Sequence, residues 1–332
     1  MDSIIIHTMR LGQLEATVTN LGCRIMKLCI GGTDVVQGFD QAEDYMPANH
    51  ASDFGAVIGR YANRIAGGRL TIDGHTFQLP QNNGPNCLHG GPLGWQYALW
   101  RVEQASDTCI RLVLTSPDGD QGFPGEVQAS VVYTLESPAT LRIDFLATSD
   151  RPTAVNMTNH SYFNLSGDLS SNIGGHLLHI DSDLFTPTDS TAIPLASHAP
   201  VDGTPFDFRS IKPIGRDIEA GHPQLVIGHG YDHNFVLRNP GLDHACATLA
   251  CPSSGIVMEV RTTAPGVQLY TGNFLDGVRG KGGSAYGRRS AVCLETQQYP
   301  DSPNRNWPES TGIVSPGKPL RSSTMLLFNT IR

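Results

Sequence analysis

The chain has 332 residues, a formal net charge of −8 at pH 7 and only 16% charged residues. Ordinary soluble proteins carry roughly 25% charged residues, so this composition predicts few exposed helices, and the negative charge argues against a nucleic-acid partner. No apolar run reaches the roughly 18 residues of a membrane span, and the N-terminus lacks the basic start and apolar core of a signal peptide. The 36 glycines and 22 prolines predict a chain that turns often.

The seven cysteines are odd in number, show no CxxC spacing and lie mostly in or beside apolar runs. This pattern is typical of free thiols that pack as small apolar side chains. We therefore expect a reducing, cytoplasmic setting.

The first predicted elements are short. Brief helices are expected near Gln41–Tyr45 and over Asp53–Asn63. The segment Leu70–Phe77 predicts a β-hairpin, because its central Asp73-Gly74 pair supplies the positive φ values of a tight turn.

Alternating polar and apolar residues, typical of half-buried antiparallel strands, mark the segments Glu126–Leu135 and Leu141–Thr148. Farther along the chain, Ile256–Thr263 and Gly266–Thr271 predict a second pair of strands, joined at Ala264-Pro265.

Between these strand regions, Asp181–Gly230 is rich in Pro, Gly, Asp and His and predicts long ordered loops, with a short helix near Ile214–Ala220. Loops on a rigid sheet scaffold commonly carry binding sites. We therefore predict an all-β protein, a single large antiparallel β-sandwich domain over residues 1–332, with few short helices.

Two widely separated residues are the candidate acid–base groups. His160 lies among five neutral polar residues between Asn156 and Asn164, a density of donors and acceptors that suits a polyhydroxylated ligand. The alternative is a strand histidine that bonds a backbone carbonyl. Glu295 ends the apolar run Ala291–Leu294. It is either a surface residue or a buried carboxylate whose pKa is raised toward that of a useful base.

Four other residues are candidates for binding hydroxyl groups. His89 precedes two glycines, which let the backbone approach a ligand closely, but it could be a plain turn residue. The guanidinium fork of Arg64 suits either two hydroxyls or a structural ion pair. Asp232 could accept hydroxyl protons or form a turn, and Gln268 could reach a ligand or be solvated.

The motifs of several other site classes are missing. The 12 histidines show no HxH or HExxH spacing, so the sequence predicts no metal site. Asp232-His233 and the pair His176 and His179 lack a matched third ligand. The chain also has no GxSxG, P-loop or GxGxxG pattern.

Several motifs together resemble the aldose 1-epimerase (galactose mutarotase) family. The resemblance is carried by NxLHGG, the loop SPDGDQGFPG, TNHxYFNL, YDHNF and LETQxxPDSPN, in this order, at Asn86–Gly91, Ser116–Gly125, Thr158–Leu165, Tyr231–Phe235 and Leu294–Asn304. It implies the large galactose mutarotase-like β-sandwich and the interconversion of the α and β anomers of a free aldose such as galactose or glucose.

The resemblance also implies roles for individual residues. Glu295 would be the general base and His160 the general acid, and the sugar hydroxyls would be bound by Asn63, Arg64, His89, Asp232 and Gln268. No metal or organic cofactor would be needed. The expected partner is a small aldose, with neither nucleic acid nor membrane, and the protein is expected to be a monomer or a homodimer.

Two segments depart from the family pattern, Pro92–Gln96 and Pro308–Val314. We expect them at the rim of the site, where Trp95, Gln96, Ile313 and Val314 would affect sugar preference.

Three alternatives stay open. An epimerase of a hexose phosphate would need a cationic grip, for which Arg60, Arg64 and Arg69 are candidates. A non-catalytic carbohydrate-binding or sensing protein would use the same pocket without turnover. A scaffold redirected to another proton transfer is the third.

Overall fold

The computed structural model of the protein describes residues 3–49, 52–137 and 139–330. Strands dominate it. The first strands are β1 (Ile6–Leu11), β2 (Leu14–Thr19), β3 (Arg24–Ile30), β4 (Thr33–Asp34), β5 (Ala56–Ile58), β6 (Arg64–Ile65), β7 (Arg69–Ile72), β8 (His75–Gln78), β9 (Cys87–Leu88), β10 (Arg101–Ala105), β11 (Cys109–Ser116), β12 (Val127–Glu136), β13 (Thr140–Ser149), β14 (Thr153–Ala154) and β15 (Thr158–His160). They are followed by β16 (Leu177–Ile180), β17 (Leu184–Phe185), β18 (Ala199–Pro200), β19 (Lys212–Pro213), β20 (Asp232–Val236), β21 (Ala247–Ala250), β22 (Ile256–Thr262), β23 (Gly266–Tyr270), β24 (Val278–Arg279), β25 (Ala285–Tyr286), β26 (Cys293–Gln297), β27 (Ile313–Val314) and β28 (Leu320–Thr330).

The largest sheet has nine strands in the order β10-β11-β12-β13-β28-β22-β21-β16-β19, all paired antiparallel. Its long strands alternate as the sequence predicts: Tyr133, Ile143 and Phe145 are buried, whereas their neighbours Thr134 and Asp144 are half-buried. Because side chains alternate between the faces of a strand, this sheet presents one apolar face to the core.

A five-stranded antiparallel sheet, in the order β18-β17-β20-β23-β26, lies on the other side of the core. Every residue of β23 and β26 is buried, so both faces of this sheet are covered. Val267, Leu269 and Leu294 contribute to the main apolar core. Gln268, between Val267 and Leu269, and Glu295, directly after Leu294, therefore point to the opposite face, which carries the candidate site.

A four-stranded sheet, β1-β2-β3-β4, and several two-stranded ribbons complete the structure. The predicted hairpin at Leu70–Phe77 is confirmed as the pair β7 and β8, with Asp73 at φ 50° and Gly74 at φ 78° in its turn. The antiparallel β-sandwich predicted from the sequence is the observed architecture; the single-domain assignment stays a prediction.

Helices are short, as expected. The helices are α1 (Pro223–Gly228) and the 3-10 turns Ala42–Tyr45, Ala66–Gly68, Trp95–Tyr97, Asp120–Gly122, Ile173–Gly175, Ile214–Arg216, Lys281–Gly283 and Ser302–Asn304. The prediction near Gln41–Tyr45 is confirmed, and the one near Ile214–Ala220 holds for its first three residues.

The helix predicted over Asp53–Asn63 is wrong. Its apolar centre, Ala56–Ile58, is the buried strand β5, which pairs antiparallel with β15. A short apolar run buried on all sides carries no periodicity that separates a helix from a strand. The error matters because β15 carries His160, so β5 supports the site directly.

The pair of strands predicted at Ile256–Thr263 and Gly266–Thr271 exists as two strands but not as a hairpin. β22 belongs to the nine-stranded sheet and pairs with β21 and β28, whereas β23 belongs to the five-stranded sheet between β20 and β26. The Ala264-Pro265 link therefore carries the chain from one layer of the sandwich to the other.

All seven cysteines lie in the described part of the chain, and each is a free thiol; six are buried. None of the described helices has the length and apolar character that a bilayer crossing requires.

Candidate active site

A cavity of about 630 Å³ lies over the face of the five-stranded sheet that points away from the core. All seven residues proposed from the sequence line it: Asn63, Arg64, His89, His160, Asp232, Gln268 and Glu295. The loops between Asp181 and Gly230 contribute Ser190, Thr191 and Ala192 to the wall, and helix α1 contributes its last residues. These loops therefore do form part of a polar site, as their composition predicts.

Three neighbouring strands place the polar side chains of the cavity floor. Gln268 of β23 lies directly opposite Glu295 of β26 in the antiparallel register, so both side chains project from the same face. On β20, the other neighbour of β23, Asp232 accepts a hydrogen bond at its Oδ1 from Nε2 of Gln268 at 2.7 Å. Gln268 is only 4% exposed, so the alternative of a solvated strand residue is wrong.

His160 and Glu295 meet across the cavity. Nε2 of His160 lies 3.5 Å from Oε1 of Glu295, and the two side chains are 6% and 3% exposed. Nδ1 of His160 and Oε2 of Glu295 have no hydrogen-bond partner among the described residues. Glu295 is the third residue of β26, so it lies within the strand and is not a surface residue beyond it.

Burial sets the protonation behaviour of this pair. It raises the pKa of Glu295 well above the usual value, and the negative charges of Asp232 and Asp53 add to the effect. Burial also lowers the pKa of His160, while Asp53 and Asp232 oppose that shift. Burial therefore favours the form in which the carboxyl is protonated and the imidazole is neutral, and this form carries one proton in total.

His89 is held by a reciprocal pair of hydrogen bonds with Asn63. The backbone N–H of His89 donates to the carbonyl of Asn63 at 3.0 Å, and the backbone N–H of Asn63 donates to Nδ1 of His89 at 3.1 Å. Burial lowers the pKa of His89 to about 3, so its ring is neutral at pH 7. Because Nδ1 accepts, the proton is assigned to Nε2, which leaves that atom as a donor.

Arg64 lies at the cavity wall, where β6 pairs with β9. Its Nε donates to Oδ1 of Asn83 at 2.9 Å, which orients the guanidinium group. Its positive charge opposes the rise in the pKa of Glu295. Arg64 is therefore a cation fixed at the site, and it forms no ion pair with an acidic residue among the described residues.

Comparison with known proteins identifies the family of the chain. The family model described as aldose 1-epimerase matches residues 6–326. Galactose mutarotase from Mus musculus is 42% identical over 328 residues, which cover 97% of this chain and 93% of that protein. The chain belongs to the aldose 1-epimerase family.

Other relatives support the same assignment. Aldose 1-epimerase from Escherichia coli (strain K12) is 41% identical over 282 residues, covering 84% of this chain and 81% of that protein. Among solved structures, an aldose epimerase homologue from C. elegans has a TM-score of 0.90 at 30% identity, covering 99% of this chain and 100% of that one. Galactose 1-epimerase from Lactobacillus acidophilus NCFM has a TM-score of 0.86 at 25% identity, covering 99% of each chain. The predicted fold class and the predicted carbohydrate isomerase are thus confirmed.

Two of the three candidate phosphate-binding arginines of this aldose 1-epimerase lie outside the cavity lining. The guanidinium group of Arg60 is buried and donates to the carbonyls of Ser116, Pro117, Pro124 and Gly125. Arg69 is exposed on β7. Arg64 is the one arginine among the described residues that line the cavity, so a clustered cationic grip is not formed there.

The residues expected at the rim are elsewhere. Trp95 and Gln96 are 2% and 3% exposed, and Trp95 belongs to the main core. Val314 also belongs to that core, and Ile313 packs against a separate apolar cluster. None of the four lines the cavity. The prediction was wrong because a residue that differs from the family motif need not lie near the ligand.

Several residues that line the cavity were not predicted from the sequence. Aromatic side chains form one side of the cavity. The ring of Tyr162 stacks on that of His160 with 5.0 Å between ring centroids, and the rings of Tyr270 and Phe274 stack with 6.3 Å between centroids. Tyr162 stands in TNHxYFNL and Tyr270 follows Gln268 by two positions, so the motif and the period-2 alternation could have indicated them. Asp53 also lines the cavity and was hidden by the wrong helix assignment.

Asp53, His89 and His160 form the one metal-compatible grouping found among the described residues, with one donor atom of each within 4.8 Å of the others. His89 already accepts through Nδ1, and His160 faces Glu295. We regard this grouping as an electrostatic cluster, and the absence of a metal requirement stays a prediction from the sequence.

Proposed function

We propose that Glu295 and His160 are the acid–base pair with which this aldose 1-epimerase interconverts the α and β anomers of a free aldose such as galactose or glucose. The observation that carries the proposal is the 3.5 Å approach of the carboxylate and imidazole in a buried, polar cavity. Both groups can therefore reach adjacent atoms of one bound sugar ring.

Ring opening requires one proton to leave the C1 hydroxyl and another to reach the ring oxygen. Glu295 as carboxylate accepts the first, and His160 as imidazolium donates the second. The C1–O5 bond breaks, an aldehyde forms at C1, and rotation about C1–C2 presents its other face. Closure runs with the roles reversed: Glu295 returns a proton to the carbonyl oxygen as the C5 hydroxyl attacks and His160 removes the hydroxyl proton.

The protonation balance of the pair supports these roles. The reactive form, a carboxylate with an imidazolium, contains one proton, the same number as the form with a protonated carboxyl and a neutral imidazole that burial favours. The pair therefore needs only an internal proton shift to reach the reactive form. Each positioned group contributes a factor of about 100 to 10,000 to the rate.

The remaining polar residues bind the sugar. Arg64 and His89 supply donors, Asp232 supplies an acceptor, and Gln268 orients Asp232 through its 2.7 Å hydrogen bond. Asn63 acts mainly by fixing His89. Such convergent neutral and charged groups match a ligand with several hydroxyls.

Two alternatives are less well supported. A hexose-phosphate epimerase would require a cationic cluster, and Arg64 is the one cavity arginine among the described residues. A binding protein without turnover has no need for two desolvated groups with opposed pKa shifts. A cytoplasmic location is proposed from the seven free thiols. A monomer or homodimer stays a prediction.

Polarimetry on freshly dissolved α-D-galactose and α-D-glucose tests the proposal. The wild-type protein should accelerate the relaxation of optical rotation, and Glu295→Gln and His160→Gln should each lower kcat by about 100- to 10,000-fold. Glu259→Gln, on a strand of the nine-stranded sheet, is the matched control and should keep full activity. Near-normal turnover in a folded Glu295→Gln protein would refute the assigned roles.

A further inference from the structure

Asp53 places another carboxylate at the acid–base pair. Its carbonyl accepts from the backbone N–H of Ala56 at 3.0 Å, and the backbone N–H of Gly55 donates to the carbonyl of His160 at 3.0 Å. The segment that carries Asp53 is therefore tied to the strand that carries His160. One carboxylate oxygen of Asp53 lies within 4.8 Å of a ring nitrogen of His160 and of His89.

No hydrogen bond or ion pair within the described residues engages the Asp53 carboxylate, which is half-buried and lines the cavity. Its charge is thus not neutralised by a direct contact with a cation. Arg24 lies nearby, but its guanidinium group donates to the carbonyls of Phe54 and Gln96 at 3.0 and 2.8 Å. Asp53 acts on Arg24 only through space.

The charged and titratable groups around His160 come from several elements. They are Glu295 on β26, Asp232 on β20, Asp53 before β5, Arg24 on β3, His89 after β9, and the phenols Tyr162 and Tyr270. Burial disfavours the imidazolium form of His160, and Asp53 is the first of the charges that oppose this effect, ahead of Asp232. His89, with a pKa of about 3, stays neutral beside it.

We propose that Asp53 is a positioning residue of the acid–base pair, whose negative charge stabilises the protonated form of His160 in the buried site. The inference rests on the proposed roles of Glu295 and His160. It explains how a histidine almost withdrawn from solvent can hold a proton for transfer to the ring oxygen of the sugar.

The consequence is a displaced pH profile. A nearby anion raises the pKa of an imidazole and of a carboxyl, and Asp53 has this sign of effect on both His160 and Glu295. Removing the charge lowers both values. The bell-shaped dependence of kcat/KM on pH should therefore move as a whole to lower pH, by roughly half a unit to one unit for a partly solvated charge at this separation.

The test compares kcat/KM for α-D-galactose from about pH 5 to about pH 9 in wild type, Asp53→Asn and Asp53→Glu, with a chelator present throughout. Asp53→Asn should show the downward displacement, and Asp53→Glu should restore most of the wild-type profile because it keeps the charge. Glu43→Gln, which removes an exposed carboxylate on a 3-10 turn, should leave the profile unmoved. Asp53→Ser serves for the same comparison if the Asn variant fails to fold.

Two outcomes would overturn the inference. An Asp53→Asn profile that is lower at every pH but not displaced would show that Asp53 binds a sugar hydroxyl instead. A loss of thermal stability with an unmoved profile would show that it only balances the charge of Arg24. Failure of the proposed function is separately visible, since Glu295→Gln would then keep its activity.

Discussion

Oε1 of Glu295 lies 3.5 Å from Nε2 of His160, although the two side chains come from strands more than 130 residues apart and are each less than one-tenth exposed. Burying a carboxyl and an imidazole beside three further charged side chains, Asp53, Asp232 and Arg64, is unfavourable for folding unless protons rearrange. The proposed acid–base role accounts for this arrangement, which should also have a measurable effect on stability.

The free energy of unfolding of Glu295→Gln should exceed that of wild type by an amount that grows as pH rises. The unfolded carboxyl has a pKa of about 4.3, whereas burial raises the folded pKa of Glu295 well above its usual range. Folding therefore favours the protonated carboxyl, and its contribution to stability is lost as pH rises through the folded pKa. Glutamine stays neutral throughout.

The measurement is urea unfolding of wild type and Glu295→Gln at about pH 5 and about pH 8. The stability difference in favour of the variant should be larger at the higher pH. Glu259→Gln, which loses a half-buried ion pair with Arg261, gives the background change. A difference that is constant or shrinks with pH would contradict the buried-carboxyl argument.

Substitutions of Arg60 and Arg64 should have different effects, one on stability and the other on sugar binding, although only three residues stand between them. Arg60→Met removes a buried guanidinium group and leaves several carbonyls unpaired, so it should cost at least about 3 kcal/mol of stability. Arg64→Met should change stability by less than about 1 kcal/mol but raise KM by about 10- to 100-fold.

Chemical denaturation and polarimetric kinetics on the same two proteins give both quantities. The assignment would be wrong if Arg60→Met stayed as stable as wild type, or if Arg64→Met kept the wild-type KM.

The sequence allowed the long strands and the seven residues that line the cavity to be located, but it did not show how the strands pair. Polar and apolar residues alternate along β12 and β13 because one side of each strand is less buried than the other, and this alternation made both strands predictable. β5 is buried on both sides, so its apolar run carries no such signal. The error over β5 hid Asp53, which precedes that strand.

Pairing between strands is equally hard to predict locally. β22 and β23 are adjacent in sequence, yet they belong to different sheets, because the choice of partner depends on residues far along the chain. Trp95 shows a second reason why motifs mislead. It lies in a segment that departs from the family motif, so it was expected at the rim of the site, but its large apolar ring is buried in the core.

Gln268 and Gln297 provide a matched pair of buried glutamines on neighbouring strands. Gln268→Met removes the donor that orients Asp232, so KM for the sugar should rise by about 10-fold or more. Neither amide atom of Gln297 has a partner among the described residues, and Gln297 does not line the cavity. Gln297→Met should therefore keep the wild-type KM and leave stability unchanged or increased.

Steady-state polarimetry of the two variants decides the matter. Equal KM values would show that the Gln268–Asp232 bond does not contribute to sugar binding.

Gly59 and Trp95 should behave as one packing unit. A Cβ atom added at Gly59 would lie 2.0 Å from Cε3 of Trp95, closer than any van der Waals contact allows. Gly59→Ala should therefore destabilise the protein by about 1–3 kcal/mol, and Trp95→Ala by about 3–5 kcal/mol through the cavity it leaves.

The two effects should not add. Once the indole is removed, the alanine methyl at position 59 has space, so Gly59→Ala should cost less than about 0.5 kcal/mol in the Trp95→Ala background. Urea unfolding of both single variants and the double variant measures the coupling. Additive costs would mean that position 59 needs glycine for its backbone conformation alone. A strongly negative coupling would show that glycine is needed there because the indole ring of Trp95 occupies the space of a side chain.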